Sequence, residues 1–318
     1  METLYIVIPC YNEQEVLPET LRRLDAKLTA LEADGRISPD SRVLLVDDGS
    51  RDRTWALIDE AARQQEWVEG IKLAHNRGHQ NALLAGLMTA REHADIVVSM
   101  DADLQDDVDA IDGFLDQRAE GCDIVYGVRA ARTTDTAFKR TTAEGYYKLL
   151  KLLGVEIVFN HADYRLMSRR ALDALAEYHE SNLFLRGIVP SLGFKTAEVT
   201  YERAARFAGE SKYPLKKMLA LAFEGVTSFS VKPLRLVTAI GVLLCVLAGL
   251  GLLAALIVLL CGLPVAGWVV VLGSVWLVGG LELIAIGLVG AYIGKIYGEV
   301  KARPRYILEE NTLERRKS

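Results

Sequence analysis

Asp101 and Asp103, with Ala102 between them, follow a short apolar run that ends at Met100. Two carboxylates one residue apart at a strand end leave the backbone on nearby vectors. They present hard oxygen ligands, the kind a divalent cation prefers. A cation held there can bridge a diphosphate and neutralise the charge that grows on it as it leaves. A solvated acidic turn is the other reading of such a pair, and its place at a strand end favours the first. Asp47-Asp48-Gly49-Ser50 is a second acidic strand end. Asp48, with Asp47 beside it, can accept hydrogen bonds from a base N–H or from ribose hydroxyls. Ser50 or Asp52 can cap the helix that follows. In Pro9-Cys10-Tyr11-Asn12-Glu13, Tyr11 can stack on a base and Glu13 can bond its polar edges. Arg77 and Gly78 stand just before a helix, where an arginine suits an anion. His75 and His79 are four residues apart, and a non-metal role is favoured for them.

The elements that must position these residues alternate. Apolar runs predict strands at Leu4–Ile8, Val43–Val46, Gly70–Leu73, Ile96–Met100 and Ile124–Tyr126. Helical spacing between them predicts helices over Val16–Leu31, around Trp55, Ile58 and Ala62, and over Gly78–His93 and Val108–Ala119. Short strands alternating with helices indicate βαβ units and a parallel sheet, whose ligands sit at the carboxyl ends of the strands. From Phe138 to Arg206 the pattern is mixed, with a strand expected at Lys195–Tyr201.

The chain of 318 residues has a formal net charge of -5, which gives no basic footprint for nucleic acid and excludes that partner. Cys10, Cys122, Cys245 and Cys261 have no metal-ligand spacing and read as buried thiols. The N-terminus lacks a basic leader and reads as a first strand.

Glu210–Phe229 sets Lys212, Lys216 and Lys217 against Leu215, Met218 and Leu219, the pattern of an interfacial helix. Leu234–Leu260 and Val265–Ile293 each exceed the roughly 20 apolar residues that cross a bilayer. Lys232 and Arg235 flank the entry, and Lys295, Lys301, Arg303 and Arg305 the exit, so both termini are expected in the cytoplasm. The expected organisation is an α/β domain over 1–209, interfacial helices over 210–233, two transmembrane helices over 234–293, and a charged cytoplasmic tail over 294–318 that frays from Glu309.

Four motifs in this order resemble those of family 2 glycosyltransferases with the GT-A fold, a Rossmann-like nucleotide-diphospho-sugar transferase fold. They are Pro9-Cys10-Tyr11-Asn12-Glu13, Val46-Asp47-Asp48-Gly49-Ser50, Asn76-Arg77-Gly78-His79-Gln80 and Asp101-Ala102-Asp103-Leu104-Gln105-Asp106. The likeness is to the dolichol-phosphate-mannose-synthase-like branch, and within it to bacterial polyprenyl-phosphate (bactoprenol) glucosyltransferases. It continues through Asp163-Tyr164-Arg165-Leu166-Met167, Gly209-Glu210-Ser211-Lys212-Tyr213 and Tyr292-Ile293-Gly294. Ala291 stands where relatives commonly carry Glu, and Glu282 where a neutral residue is expected.

The resemblance implies roles. Asp101, Asp103 and Gln105 would bind Mg²⁺ or Mn²⁺ with the diphosphate. Pro9, Tyr11, Glu13, Asp47 and Asp48 would hold the nucleoside, with Arg77 and Gly78 at the donor and Lys212 closing over it. Asp163 and Arg165 would lie near the reacting carbon, and Arg129 and Arg140 would bind the acceptor phosphate. The expected reaction is an inverting transfer of one sugar, glucose from UDP-glucose first, to undecaprenyl or another polyprenyl phosphate at the cytoplasmic face of an inner membrane. The expected protein is a multi-pass homo-oligomer that modifies cell-envelope glycans. The alternatives are 4-formamido-arabinose, mannose or an N-acetylhexosamine in place of glucose, or a non-catalytic nucleotide-sugar-binding scaffold.

Overall fold

The computed structural model describes residues 1–129, 161–179, 185–202 and 267–315. Arg140, Lys212, the expected interfacial segment and the first expected span lie outside them. The chain divides into two compact units, one of residues 1–147, 156–213 and 303–318, the other of 148–155 and 214–302.

The first unit is built on one sheet. Its strands are β1 (Leu4–Cys10), β2 (Arg42–Asp47), β3 (Val68–Leu73), β4 (Ile96–Ser99), β5 (Ile124–Arg129), β6 (His161–Ser168), β7 (Thr196–Tyr201) and β8 (Leu308–Asn311). Helices α1 (Leu17–Ala33), α2 (Thr54–Gln64), α3 (His79–Arg91) and α4 (Ala110–Ala119) connect the first five strands. Helices α5 (Arg169–Ala176) and α6 (Leu185–Ser191) lie between β6 and β7. The spatial order is β7-β5-β6-β4-β1-β2-β3-β8.

β1, β2, β3 and β4 pair in parallel, as the alternating pattern predicts. They are buried through their length because helices cover both faces. On one face Ile6, Ile8, Leu45 and Val98 meet Leu17, Leu24 and Leu28 of α1, Ile58 of α2 and Phe114 of α4. The buried positions of α1 recur every three or four residues, the stripe that turns a helix toward a sheet. On the other face α3 lies so close that a Cβ on Gly86 would stand 2.3 Å from Val7 Cγ1 and 2.7 Å from Val46 Cγ2.

Two strands depart from the parallel expectation. β6 enters between β4 and β5 and is antiparallel to both. β8 adds an antiparallel strand to β3, with Ile71 opposite Asn311. Glu309–Arg315 are therefore ordered against the sheet and not frayed. Thr312 is buried, accepts a hydrogen bond from Gly70 N at 2.9 Å, and donates to Glu69. Trp55 Nε1 donates to Glu310 at 3.0 Å, and Lys72 pairs with Glu309 at 3.0 Å. The tail expectation missed these partners because a run of charges was read without the strand it borders.

Of the second unit, the described part is a helix, α7, over Gly267–Val300. At 1.5 Å per residue its 34 residues extend about 50 Å. It overlaps the second expected span, Val265–Ile293, and runs seven residues beyond it. Many of its side chains lie outside the described set, and among the described residues no helix is long and apolar enough to cross a membrane.

Candidate active site

The site lies at the carboxyl ends of the parallel strands. β2 ends at Asp47, and Asp48 follows with both carboxylate oxygens engaged. Arg77 N donates to Oδ1 at 2.7 Å and Gly78 N to Oδ2 at 2.9 Å. Asp48 thus fastens the loop that opens α3. Gly49 permits the contact, because at its φ of 65° a Cβ would lie 2.6 Å from Asn76 N. Asp47 is fully buried and accepts from Ser50 N, while its Oδ1 has no hydrogen-bond partner among the described residues. Burial raises both carboxyls above the usual range against the hydrogen bonds that lower them.

Tyr11 is exposed just past β1, and the Glu13 N–H donates to Thr54 Oγ1 at 2.9 Å. Pro9 lies within β1 opposite Val46. Ser50 does not cap α2, since its hydroxyl accepts from Asn12 N at 3.0 Å. Asp52 accepts from Thr54 N instead, also at 3.0 Å.

Asp101 and Asp103 follow β4. The antiparallel register pairs Ser99 with Arg165, so two further steps bring Asp163 of β6 opposite Asp101. His79, the first residue of α3, stands between them. Its Nε2 is 3.6 Å from Asp101 Oδ1 and 3.4 Å from Asp163 Oδ2. Burial draws this imidazole down, but the Asp163 bond and the charges of Asp101 and Asp163 outweigh it and raise it.

Asp163 is the most heavily engaged carboxylate. Arg165 Nη2 donates to its Oδ1 at 2.9 Å, Arg186 Nη2 to its Oδ2 at 3.1 Å and Gln80 Nε2 to its Oδ2 at 3.4 Å. Burial would raise it, yet Arg186, His79 and Arg165 together hold it well below the usual carboxylate range. Asp101 goes the other way. Burial pushes it up to about 6 against the pull of His79, with Asp106, Asp163 and Asp103 adding to the rise. One carboxylate in the cluster therefore stays ionised, and its neighbour keeps a proton into mildly acidic solution.

Asp103 Oδ1 accepts from Gln105 N at 3.2 Å, which folds the acidic turn onto itself. Among the described residues no group of three or more His, Cys, Asp or Glu is arranged to hold a metal by itself. Asp101 and Asp103 offer two hard carboxylates, a donor set that suits a cation completed by phosphate oxygens and water.

The expected residues Pro9, Tyr11, Glu13, Asp47, Asp48, Arg77, Gly78, Asp101, Asp103, Gln105, Asp163 and Arg165 all lie at this end of the sheet or in its strands. Arg129 is placed differently from a free phosphate ligand. Its Nη2 is 3.7 Å from Asp106 Oδ1 and its Nε donates to Tyr201 Oη at 3.3 Å. The reading from sequence assigned no role to His79, Gln80, Asp106, Arg186 or Tyr201. His79, Gln80 and Asp106 stood inside recognised motifs, while no local pattern marks Arg186.

A mixed sheet with acidic residues gathered at the carboxyl ends of its inner parallel strands is the α/β arrangement expected of the GT-A type. Residues 5–176, more than half of the chain, match the model of Glycosyl transferase family 2, and the chain belongs to that family. It is 53% identical over 306 residues to the uncharacterized glycosyltransferase YkoT of Bacillus subtilis (strain 168), covering 96% of this chain and 91% of YkoT. It is 39% identical over 308 residues to YkcC of the same organism, also an uncharacterized glycosyltransferase, covering 96% and 93%. It is 38% identical over 313 residues to the SfII prophage-derived bactoprenol glucosyl transferase of Shigella flexneri, covering 96% and 97%.

Proposed function

We propose that this glycosyltransferase moves one glucose unit from UDP-glucose to a polyprenyl phosphate, with inversion, at the cytoplasmic face of a membrane. The observation that carries the reading is the strand-end cluster, in which Asp163, ionised and held by two arginines, faces Asp101 across His79. The full-length similarity to a bactoprenol glucosyl transferase supports the acceptor and the sugar. Val265–Ile293 carries one charged residue, Glu282, and Leu234–Leu260 carries one, Arg235, near its start. That composition supports two spans that bring the domain to a lipid substrate.

Asp101 and Asp103, with Gln105, would hold Mg²⁺ or Mn²⁺. Such a cation neutralises charge on a departing diphosphate. Tyr11 supplies an exposed ring for a base. Asp48 takes the N–H groups of the Arg77–Gly78 loop and so holds the Arg77 side chain near the start of α3, where an arginine suits an anion. Asp163 orients the acceptor or the sugar, and an acceptor phosphate, already anionic, attacks without a strong base. Arg140 and Arg186 are the arginines assigned to that phosphate, because their planar donors match its oxygens.

The test is turnover by the full chain in detergent or nanodiscs with undecaprenyl phosphate and Mg²⁺ or Mn²⁺. UDP-glucose, UDP-galactose, UDP-N-acetylglucosamine, UDP-4-formamido-arabinose and GDP-mannose are supplied in turn. Metal-dependent label in the lipid extract from UDP-glucose is expected. Label from another donor alone would replace the sugar, and no label from a folded protein would favour a non-catalytic scaffold.

A further inference from the structure

The turn after β4 is strained. Leu104 has φ 56°, a left-handed conformation that a branched aliphatic side chain rarely adopts. Such a conformation persists only where the surroundings over-determine it. Two tyrosine hydroxyls do so here. Tyr201, the last residue of β7, donates to Asp106 Oδ1 at 2.5 Å, and Tyr164 of β6 donates to Asp107 O at 2.8 Å. The two rings meet edge to face at 5.3 Å. Gly127 of β5 makes room for both, since a Cβ there would lie 3.0 Å from Tyr164 Cδ1 and 3.1 Å from Tyr201 Cε1. Asp106 is buried, and its other oxygen accepts from Asp101 N at 3.5 Å. A path thus runs from Tyr201 at the end of β7, braced by the Tyr164 ring, through the Asp106 carboxylate to the backbone N–H of Asp101.

We propose that Tyr201 and Tyr164, acting through Asp106 and Asp107, form a strut that sets the separation of the Asp101 and Asp103 carboxylates for a divalent cation. This inference rests on the reading of those two residues as the cation ligands. Tyr201 is then a positioning residue. Its aromatic body packs in the core, and its hydroxyl fixes a strained turn that would otherwise relax. Tyr164 holds the adjoining carbonyl in the same way.

The test is Mn²⁺ titration of the full chain in detergent without donor, following the free Mn²⁺ signal by electron paramagnetic resonance, with thermal unfolding recorded beside it. Tyr201→Phe is expected to weaken Mn²⁺ binding about three- to tenfold, less than the full worth of a hydrogen bond to a charged group because the loss reaches the cation ligands only through the turn. In turnover, the Mn²⁺ requirement rises more than kcat at saturating Mn²⁺ falls. A residue that served stability alone would lower the unfolding temperature and leave the Mn²⁺ affinity where it was. An unchanged affinity in Tyr201→Phe, with Asp103→Ala abolishing binding, overturns the strut. Wild-type binding in Asp103→Ala overturns the cation reading itself. If Tyr201→Phe does not fold, Tyr164→Phe decides: a weaker affinity supports the strut, and an unchanged one overturns it.

Discussion

Arg165 and Asp163 sit two residues apart on β6, side chains on the same face, with Arg165 Nη2 2.9 Å from Asp163 Oδ1. The guanidinium is fully buried, and its Nε and Nη1 have no hydrogen-bond partner among the described residues. Its charge is tolerated there because a carboxylate stands beside it. Asp163→Ala should therefore cost about 3–5 kcal/mol, the usual effect of stranding one member of a buried pair. Thermal unfolding should fall by roughly 10 °C. Asp163→Asn keeps an acceptor but removes the charge, so a loss close to that of Asp163→Ala is expected, and a much smaller one would remove charge pairing as the cause.

Gly49→Ala should loosen the donor side. The added methyl meets the backbone of Asn76 and requires a conformation that L residues avoid. The loop that Asp48 fastens must move, and a stability loss of about 1–3 kcal/mol is expected. Nucleotide-sugar affinity, measured by calorimetry, should fall with it. Unchanged affinity at lower stability would separate the loop from donor binding.

Cation loading should depend on pH. The Asp101 carboxyl, raised to about 6 by burial, keeps its proton below that pH, and a cation must displace it. Mn²⁺ affinity should be flat above about pH 7 and should fall up to tenfold per unit as the pH drops below 6. Calorimetry in buffers of different ionisation heat should show proton release in the acidic range alone. Proton release at pH 8 would contradict this assignment.

Much of the frame was legible in the sequence. β1, β2 and β4 are buried on both faces, so each reads as an unbroken apolar run. The chemistry sits where those runs stop, at Asp47, Asp48, Asp101 and Asp103. β6 was not legible as a strand. In Asp163-Tyr164-Arg165-Leu166-Met167 its buried residues include an ion pair, so polarity along the chain no longer reports exposure. β8 failed for a related reason: the partners of Glu309, Glu310 and Thr312 lie some 240 residues away on β3 and α2. Arg186 joins the site through the packing of α6, which leaves no mark in its neighbours.

Thr312→Val tests the return of the chain to the sheet. It removes the acceptor for Gly70 N and the donor to the buried Glu69 carboxylate at one stroke. A cost of about 2–4 kcal/mol is expected from two disrupted buried partners. Hydrogen exchange should show β3 opening more readily while β1 stays protected. Uniform protection across the sheet would mean that β8 contributes little to it.

β8 also makes the catalytic unit discontinuous in the chain, because residues 303–318 belong with 1–147 and 156–213. During synthesis the partner of β3 leaves the ribosome only after the apolar stretch 234–293 has been made. The outer edge of the sheet therefore stays open until the hydrophobic segment has met its own environment, and closure of that edge is ordered behind it. A chain cut after residue 213 would carry the strand-end carboxylates and yet lack the strand and the threonine that finish β3. A version without the apolar stretch keeps β8 when 214–302 is excised and loses it when the end is trimmed.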